Sequence, residues 1–322
     1  LDRIAPRNSS ILIKKGVAQR SMFKQLFITL MSALLILAGV KPSMAGTIIE
    51  NVARTGKLTV GTSFDLIPYA YFNEKEELDG YSIDIIKLIQ KELEKELGRS
   101  VELNFVEANS VREAIPKMII GEIDITCNTV FTWERDKYVD YTMTYSLSGI
   151  RMLLPKGSTL ASANSWAGKK IGVPPVTFVE DAVQLVHPDA TLVEIGNVKE
   201  GITALGEGKI DALAGDAVIL DGLRQEIDPD GFEFFPKFSE NPYARYGVAC
   251  MVPENNSTFL YIANYTIAKM MEGYLVGDKA TVDMVNKWIG PESVITIIEP
   301  STIKEFYQNN MINYEQIPFT AQ

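Results

Sequence analysis

The chain has 322 residues, with 31 Lys and Arg against 41 Asp and Glu, two Cys, one His and a net charge of −10. An acidic surface repels nucleic acid and anionic lipid, so neither is expected as a partner. With His187 and two cysteines, a zinc site would rest on carboxylates almost alone; no phosphate loop or serine nucleophile elbow is present, so neither metal nor cofactor is expected.

Residues 26–40 form an apolar run, preceded by Lys14, Lys15, Arg20 and Lys24 and followed by Ser43-Met44-Ala45. This predicts a secretory signal peptide cleaved after residue 45, with residues 1–21 an upstream extension ahead of Met22. The run is short for a spanning helix, and an uncleaved membrane anchor is the alternative. Residues 1–45 carry seven Lys/Arg and one Asp, so without them the net charge is −16. The remaining 277 residues can bury a sizeable core and form two lobes. In an exported protein, two cysteines suggest one disulfide.

From Lys57 onward strands alternate with amphipathic helices. Residues 57–62 read as a strand. Ser82 is placed to cap a helix with apolar Ile86, Ile89, Leu93 and Leu97, ending before Gly98. Residues 101–106 are the next strand. Ser110-Val-Arg-Glu113 is a capping-box pattern, and Pro116 makes that helix short or bent. Residues 123–127 are a third strand.

A second unit starts near Arg151, with strands at 151–154 and 170–173. Thr177-Phe-Val-Glu180 is a further capping box opening a helix to about Val186. A strand at 191–195, a helix from Asn197 to near Gly206 and a strand at 210–214 follow, and Asp216 begins the next helix. Residues 248–252 run out of this unit as a strand, and helices follow at about 258–273 and 280–289.

This alternation implies an α/β fold with mainly parallel sheets flanked by helices. The second unit is bracketed by residues 148–154 and 247–252, as an inserted lobe joined by two crossing strands would be. The expected organisation is a leader at 1–45, a first lobe at 46–147 and 248–322, and a second lobe at 148–247. A ligand would sit between the lobes, at the C-terminal ends of strands. The tail from Pro291, with Ile297-Ile298, Phe306-Tyr307 and 314–317, is apolar enough to pack on the first lobe; no function is assigned to it.

The most informative segment is Asp124-Ile-Thr-Cys-Asn-Thr-Val-Phe-Thr-Trp-Glu-Arg135. Its first half reads as a buried strand and its second as a polar turn holding Arg135. A fixed guanidinium at a strand end suits a carboxylate, because its planar fork donates two parallel hydrogen bonds. The bland alternative is a surface pair with Glu134 or Asp136.

This segment, with Gly61-Thr62, Pro68-Tyr69, Gly80-Tyr-Ser-Ile-Asp84, Gly121-Glu-Ile-Asp124, Ile210-Asp211-Ala212, Gly215-Asp216 and Lys287-Trp288, resembles the periplasmic amino-acid-binding proteins that feed ABC importers. The resemblance covers about residues 50–290 and implies the two-lobe type 2 periplasmic-binding fold, in the periplasm. The placement of Cys127 and Cys250 is similar to the glutamate/aspartate-binding branch, which implies that the two pair near the hinge.

The resemblance further implies that Arg135 takes a ligand α-carboxylate and Asp216 its α-amino group. An Asp before an apolar helix is equally a good N-cap. Thr177 matches the second-lobe Thr that helps hold the carboxylate at a helix N-terminus, or is only part of a capping box. Asn128, Thr129, Val130 and Phe131 stand where the family places hydroxyls for the amino group, in a segment one residue shorter than in the acidic-amino-acid members. Tyr69 and Phe131 are candidates to sandwich the ligand side chain. Basic groups that recognise an acidic side chain are replaced by Ser63 and Val198, so a neutral amino acid is expected over an acidic one. The implied partner is a membrane permease, and the chain is expected to be a monomer without catalysis. Two alternatives stand beside this: a cyclohexadienyl or arogenate dehydratase on the same fold, and a ligand sensor for a membrane receptor.

Overall fold

The computed structural model describes residues 46–163, 165–175, 177–291, 293 and 298–313. The expected leader, the side chain of Thr177, Ile297 and residues 314–322 lie outside the described residues.

Helix α1 (Ile48–Thr55) opens on a full capping box between Thr47 and Glu50 and ends at Gly56 in the left-handed region. Strand β1 (Lys57–Thr62) follows. Then β2 (Asp65–Leu66), β3 (Ala70–Phe72) and β4 (Leu78–Asp79) form a small antiparallel sheet. Strands of two or three residues carry too little alternation to be read from sequence.

Helix α2 (Tyr81–Leu97) starts one residue before the expected cap, on Gly80 rather than Ser82. Gly80 has φ +140, and a Cβ there would lie 2.2 Å from the Tyr69 carbonyl oxygen, so only glycine fits. Ser82 is buried inside the helix and its hydroxyl bonds to that of Tyr145 at 2.7 Å.

Next come β5 (Glu102–Glu107), α3 (Val111–Ile119), β6 (Ile125–Val130), β7 (Val139–Tyr141), β8 (Ser146–Pro155), β9 (Lys170–Val173), α4 (Thr177–Val186) and β10 (Thr191–Glu194). Then follow α5 (Val198–Gly206), β11 (Ala212–Asp216), α6 (Ala217–Ile227), β12 (Phe232–Phe235), β13 (Ala244–Pro253), α7 (Ser257–Val276), α8 (Lys279–Ile289) and α9 (Pro300–Asn313).

Several boundaries differ from the sequence reading for identifiable reasons. Ser110 caps α3, but Glu113 returns its carboxylate to the Asn109 N–H rather than to Ser110, so the box is half made. Strand β6 begins at Ile125, because Asp124 is used as a side-chain acceptor for the Thr59 N–H. Strand β11 begins at Ala212, because Asp211 likewise accepts from the Lys170 N–H. Helix α4 starts at Thr177 itself, placing that residue in the first turn instead of at the cap.

The main sheet runs β10-β9-β11-β8-β13-β6-β1-β5, with β12 added to β8 and β7 to β13. The β1–β5, β1–β6, β9–β10 and β9–β11 pairs are parallel. Strands β8 and β13 run antiparallel to each other at its centre, pairing Ser146–Val248 through Ile150–Ala244. Beyond that shared stretch β13 continues along β6 and β7, and β8 continues along β11 and β12. These are the two crossing strands of the type 2 periplasmic-binding architecture.

Both faces of the sheet are covered, as parallel strands require. In β8, Ile150, Met152 and Leu154 enter one apolar cluster with Ile171 and Val183, while Leu153 enters another with Ile202, Leu213 and Leu220. A larger cluster joins β1, α2, α7 and α8 through Leu58, Val60, Ile86, Ile89, Ile267 and Val285. Helix α9 adds Ile303, Tyr307 and Met311 to this cluster, so the described part of the tail packs where the sequence suggested. Each such fully buried aliphatic side chain contributes about 1.5–3 kcal/mol.

Candidate functional site

Strand β6 and its turn carry most of the candidate residues. Cys127 pairs with Cys250 on β13, and the two form a disulfide between adjacent strands. The next ladder partners are Thr129 with Ala249, so Asn128 has none. It is the extra residue of a β-bulge, which explains its φ of +66. Its N–H donates to the Tyr145 hydroxyl at 3.0 Å instead. Thr129 is buried and its hydroxyl donates to the Ala249 carbonyl at 3.2 Å.

After Val130 the chain turns through Thr132–Arg135, with the Arg135 and Asp136 N–H groups donating to the Thr132 carbonyl at 3.1 and 3.0 Å. The half-buried Arg135 guanidinium donates through Nη1 to the Val130 carbonyl at 3.0 Å and faces the Tyr141 phenol. Among the described residues it has no carboxylate within ion-pair distance, and Glu134 and Asp136 do not pair with it. Phe131 packs edge-on between Trp133 and Tyr141, at 4.9 and 5.2 Å. It is 39% exposed and Trp133 is 78% exposed, so this aromatic cluster faces outward.

Asp216 ends β11 and caps α6. Its Oδ1 accepts from the Val218 and Ile219 N–H groups at 2.9 and 3.1 Å, and its Oδ2 from the Tyr246 hydroxyl at 2.6 Å. Burial raises the Asp216 pKa, and the hydrogen bonds from Tyr246 and the two amides, with the facing Ser148 hydroxyl, oppose that rise. The N-cap role is therefore real, and it leaves part of Oδ2 for a further donor.

Tyr69 is wholly buried, held by its N–H to the Leu66 carbonyl at 2.8 Å and by the Ser82 N–H to its own carbonyl at 3.0 Å. Its ring is enclosed here, and among the described residues the ring contacts of Phe131 are with Trp133 and Tyr141. Its hydroxyl faces Ser146 without hydrogen-bond geometry, and burial and the nearby Asp216 charge both raise its pKa. Ser148 lies opposite Tyr246 on the paired strand and faces Asp216.

The structure thus brings Asn128, Thr129, Val130 and Arg135 together on one strand and turn, and places Tyr69 beside Asp216. The two groups meet at Tyr145, which holds Asn128 and senses the Asp216 charge. Helix α4 begins at Thr177, whose side chain lies outside the description. Ser63 is 2.7 Å from Asp65 Oδ1 and 3.1 Å from Asn109 Oδ1, and Val198 packs with the second apolar layer of β8.

Tyr145, Ser148 and Tyr246 were not picked out from sequence. The available signal was the alternation Ser146-x-Ser148 at the start of a strand, opposite Tyr246-x-Val248. It is hidden because the polar start of β8 precedes the apolar run at 152–154.

Comparison with known proteins bears on this arrangement. Residues 58–291 match the model of the bacterial extracellular solute-binding proteins, family 3. The chain is 32% identical over 206 residues to a glutamine-binding protein of Geobacillus stearothermophilus, covering 62% of this chain and 76% of that one. It is 30% identical to the ABC transporter glutamine-binding protein GlnH of Bacillus subtilis, covering 72% and 81% of the two chains. A glutamate/aspartate import solute-binding protein of Salmonella typhimurium is 25% identical, over 70% and 75%. Among solved structures, an ancestral amino acid-binding protein, a precursor of cyclohexadienyl dehydratase, superposes with a TM-score of 0.61 at 21% identity, covering 76% of this chain and all of its own. At that identity the likeness speaks for the fold alone. With a family match spanning β1 to the end of α8 and a sheet of the same architecture, the chain belongs to the bacterial extracellular solute-binding proteins of family 3.

Proposed function

We propose that this solute-binding protein captures a free amino acid between two closing lobes and delivers it to the permease of an ABC importer. The observation that carries the reading is the Arg135 guanidinium, fixed by the Val130 carbonyl with no acidic partner among the described residues. A half-buried cation in that state is a site for a carboxylate. Asp216, on the other side of Tyr145, suits the ammonium of the same ligand. The lobes are residues 46–147 with 248–322, and residues 148–247, hinged on β8 and β13. A ligand touching both lobes supplies the differential affinity that closure needs.

The relatives whose names mention glutamine support a neutral side chain, and the relative named for glutamate and aspartate marks the competing choice. Neutral is favoured by Ser63, which sits against Asp65 and Asn109, with Glu107 bonded to Asn109 at 2.9 Å. A second ligand carboxylate near that acidic edge would be repelled. Binding without turnover, export through a cleaved leader and a monomeric state complete the reading.

The test is thermal stability of the refolded, ligand-free protein against a panel of free amino acids and prephenate. A ligand at a hundredfold its Kd adds about 2.7 kcal/mol, a rise of roughly 5–10 °C. A rise with neutral amino acids supports the proposal. A rise with glutamate and aspartate alone refutes the side-chain preference. Consumption of prephenate or arogenate refutes the non-enzymatic reading, and no rise with any amino acid refutes the ligand class.

A further inference from the structure

Helix α9 lies beyond residue 291, where the family match ends, and the ligand reading makes no use of it. Its buried residues Ile303, Tyr307 and Met311 recur every four positions and enter the core lined by α2 and α7. Packing alone would be served by an apolar side chain at each. Tyr307 instead carries a hydroxyl into a position with no exposure, where a polar atom is costly unless partnered.

The partners are specific. Tyr307 Oη lies 2.8 Å from Tyr81 Oη, and both hydroxyls reach the Tyr145 carbonyl oxygen, at 3.3 and 3.1 Å. Between them the two phenol protons satisfy that carbonyl and a neighbouring hydroxyl. Three residues further along, Asn310 donates Nδ2 to the Thr144 carbonyl and to Thr144 Oγ1, the latter at 3.0 Å. Helix α9 therefore grips the two residues immediately before crossing strand β8.

Those two residues are not ordinary strand ends. Thr144 packs so closely on β13 that a Cβ at Gly247 would lie 2.4 Å from its methyl group. Tyr145 donates its N–H to the Val248 carbonyl at 2.8 Å and accepts the Asn128 N–H on its hydroxyl. The Asn128 bulge leads in two residues to Val130, whose carbonyl holds the Arg135 guanidinium.

We infer that α9 braces the ligand strand: Tyr307 and Asn310 are positioning residues that fix Thr144 and Tyr145, and through the Tyr145 hydroxyl the Asn128 bulge from which Arg135 is aimed. The amino-acid reading of Arg135 is needed only for the affinity half of the test.

The test uses the full chain with Tyr307→Phe, which keeps the ring and removes the hydroxyl, and Asn310→Ala. In the ligand-free protein, amide exchange at Asn128 should quicken about fivefold or more, the usual worth of one hydrogen bond. Exchange at Ile89, inside α2, should be unchanged. Affinity for the bound amino acid should fall by a similar factor. In a Tyr145→Phe background, Tyr307→Phe should then add nothing, because the path is already cut. Unchanged exchange at Asn128 overturns the brace. Equal acceleration at Asn128 and Ile89 overturns it too, as plain destabilisation, and so do affinity losses that multiply in the double variant. If the parent chain binds no amino acid, the reading of Arg135 fails while the exchange measurement still decides the brace.

Discussion

Tyr246, on β13, donates a 2.6 Å hydrogen bond to Asp216 Oδ2, at the end of β11, across the intervening strand β8. The phenol pKa is held well above its ordinary value, by burial first and the Asp216 charge second, so Tyr246 stays a donor throughout the working range. Burial raises the Asp216 pKa above 3.8, and the Tyr246 bond restrains that rise. Only the ionised carboxylate attracts an ammonium group. Affinity should therefore fall with falling pH at a point above 3.8, as Asp216 takes up its proton. Stability runs the other way: protonation removes a buried charge, so the contribution of Asp216 to folding improves as pH drops through its folded pKa. Tyr246→Phe should move the affinity midpoint to higher pH. Titration calorimetry between about pH 3 and 7, bracketing the ordinary carboxylate pKa values, checks it, and an unmoved midpoint counts against the coupling.

Arg135→Ala should abolish amino-acid binding, since removing one side of a desolvated charge pair costs about 2–5 kcal/mol. The fold should survive, because among the described residues the half-buried guanidinium engages only the Val130 carbonyl and the facing Tyr141 phenol. Arg135→Lys should recover little, lacking the planar fork. Wild-type affinity in the alanine variant would remove the carboxylate assignment.

Alkylation of the denatured, unreduced protein should find no free thiol, because Cys127 and Cys250 are joined. Their separation of 123 residues closes a long loop in the unfolded chain. Reduction should lower stability by about 2–4 kcal/mol. Two reactive thiols, or an unchanged melting temperature on reduction, would contradict this.

Gly80→Ala should destabilise the chain by about 1–3 kcal/mol from backbone strain, beyond which the new methyl group must displace the Tyr69 carbonyl. Gly98→Ala is the matched control: its φ is also positive, at +63, but nothing lies within 4 Å. Equal losses in the two variants, measured by urea denaturation, would mean that the Tyr69 contact has no weight.

Most of the fold was legible because its helices have one apolar stripe and clear stops. Gly98 ends α2 and Asn197 caps α5, both as read from sequence. The crossing strands were visible as apolar runs bracketing the second unit. What stayed hidden was the use of polar residues in buried places. Ser82 looks like a cap and is a buried partner of Tyr145. Asp124 and Asp211 look like strand residues and serve as turn acceptors. In each case a long-range partner, separated by tens of residues, decides what the local pattern leaves open. For the site, Arg135 and Asp216 stand out by residue type and position, whereas Tyr145, just ahead of β8, and Tyr246, in β13, are ordinary tyrosines until the chain brings their partners to them.

The bulge at Asn128 also bears on which changes this segment can accept over evolutionary time. Because two residues of β6 span one step of β13, deleting Asn128 would leave a regular ladder, with Thr129 still opposite Ala249 and Val130 opposite Val248, and would remove the N–H that reaches the Tyr145 hydroxyl. Replacing Asn128 by glycine would leave every neighbour where it stands. What is guarded at this position is thus a backbone N–H aimed out of the ladder, and the side chain that accompanies it is the negotiable part.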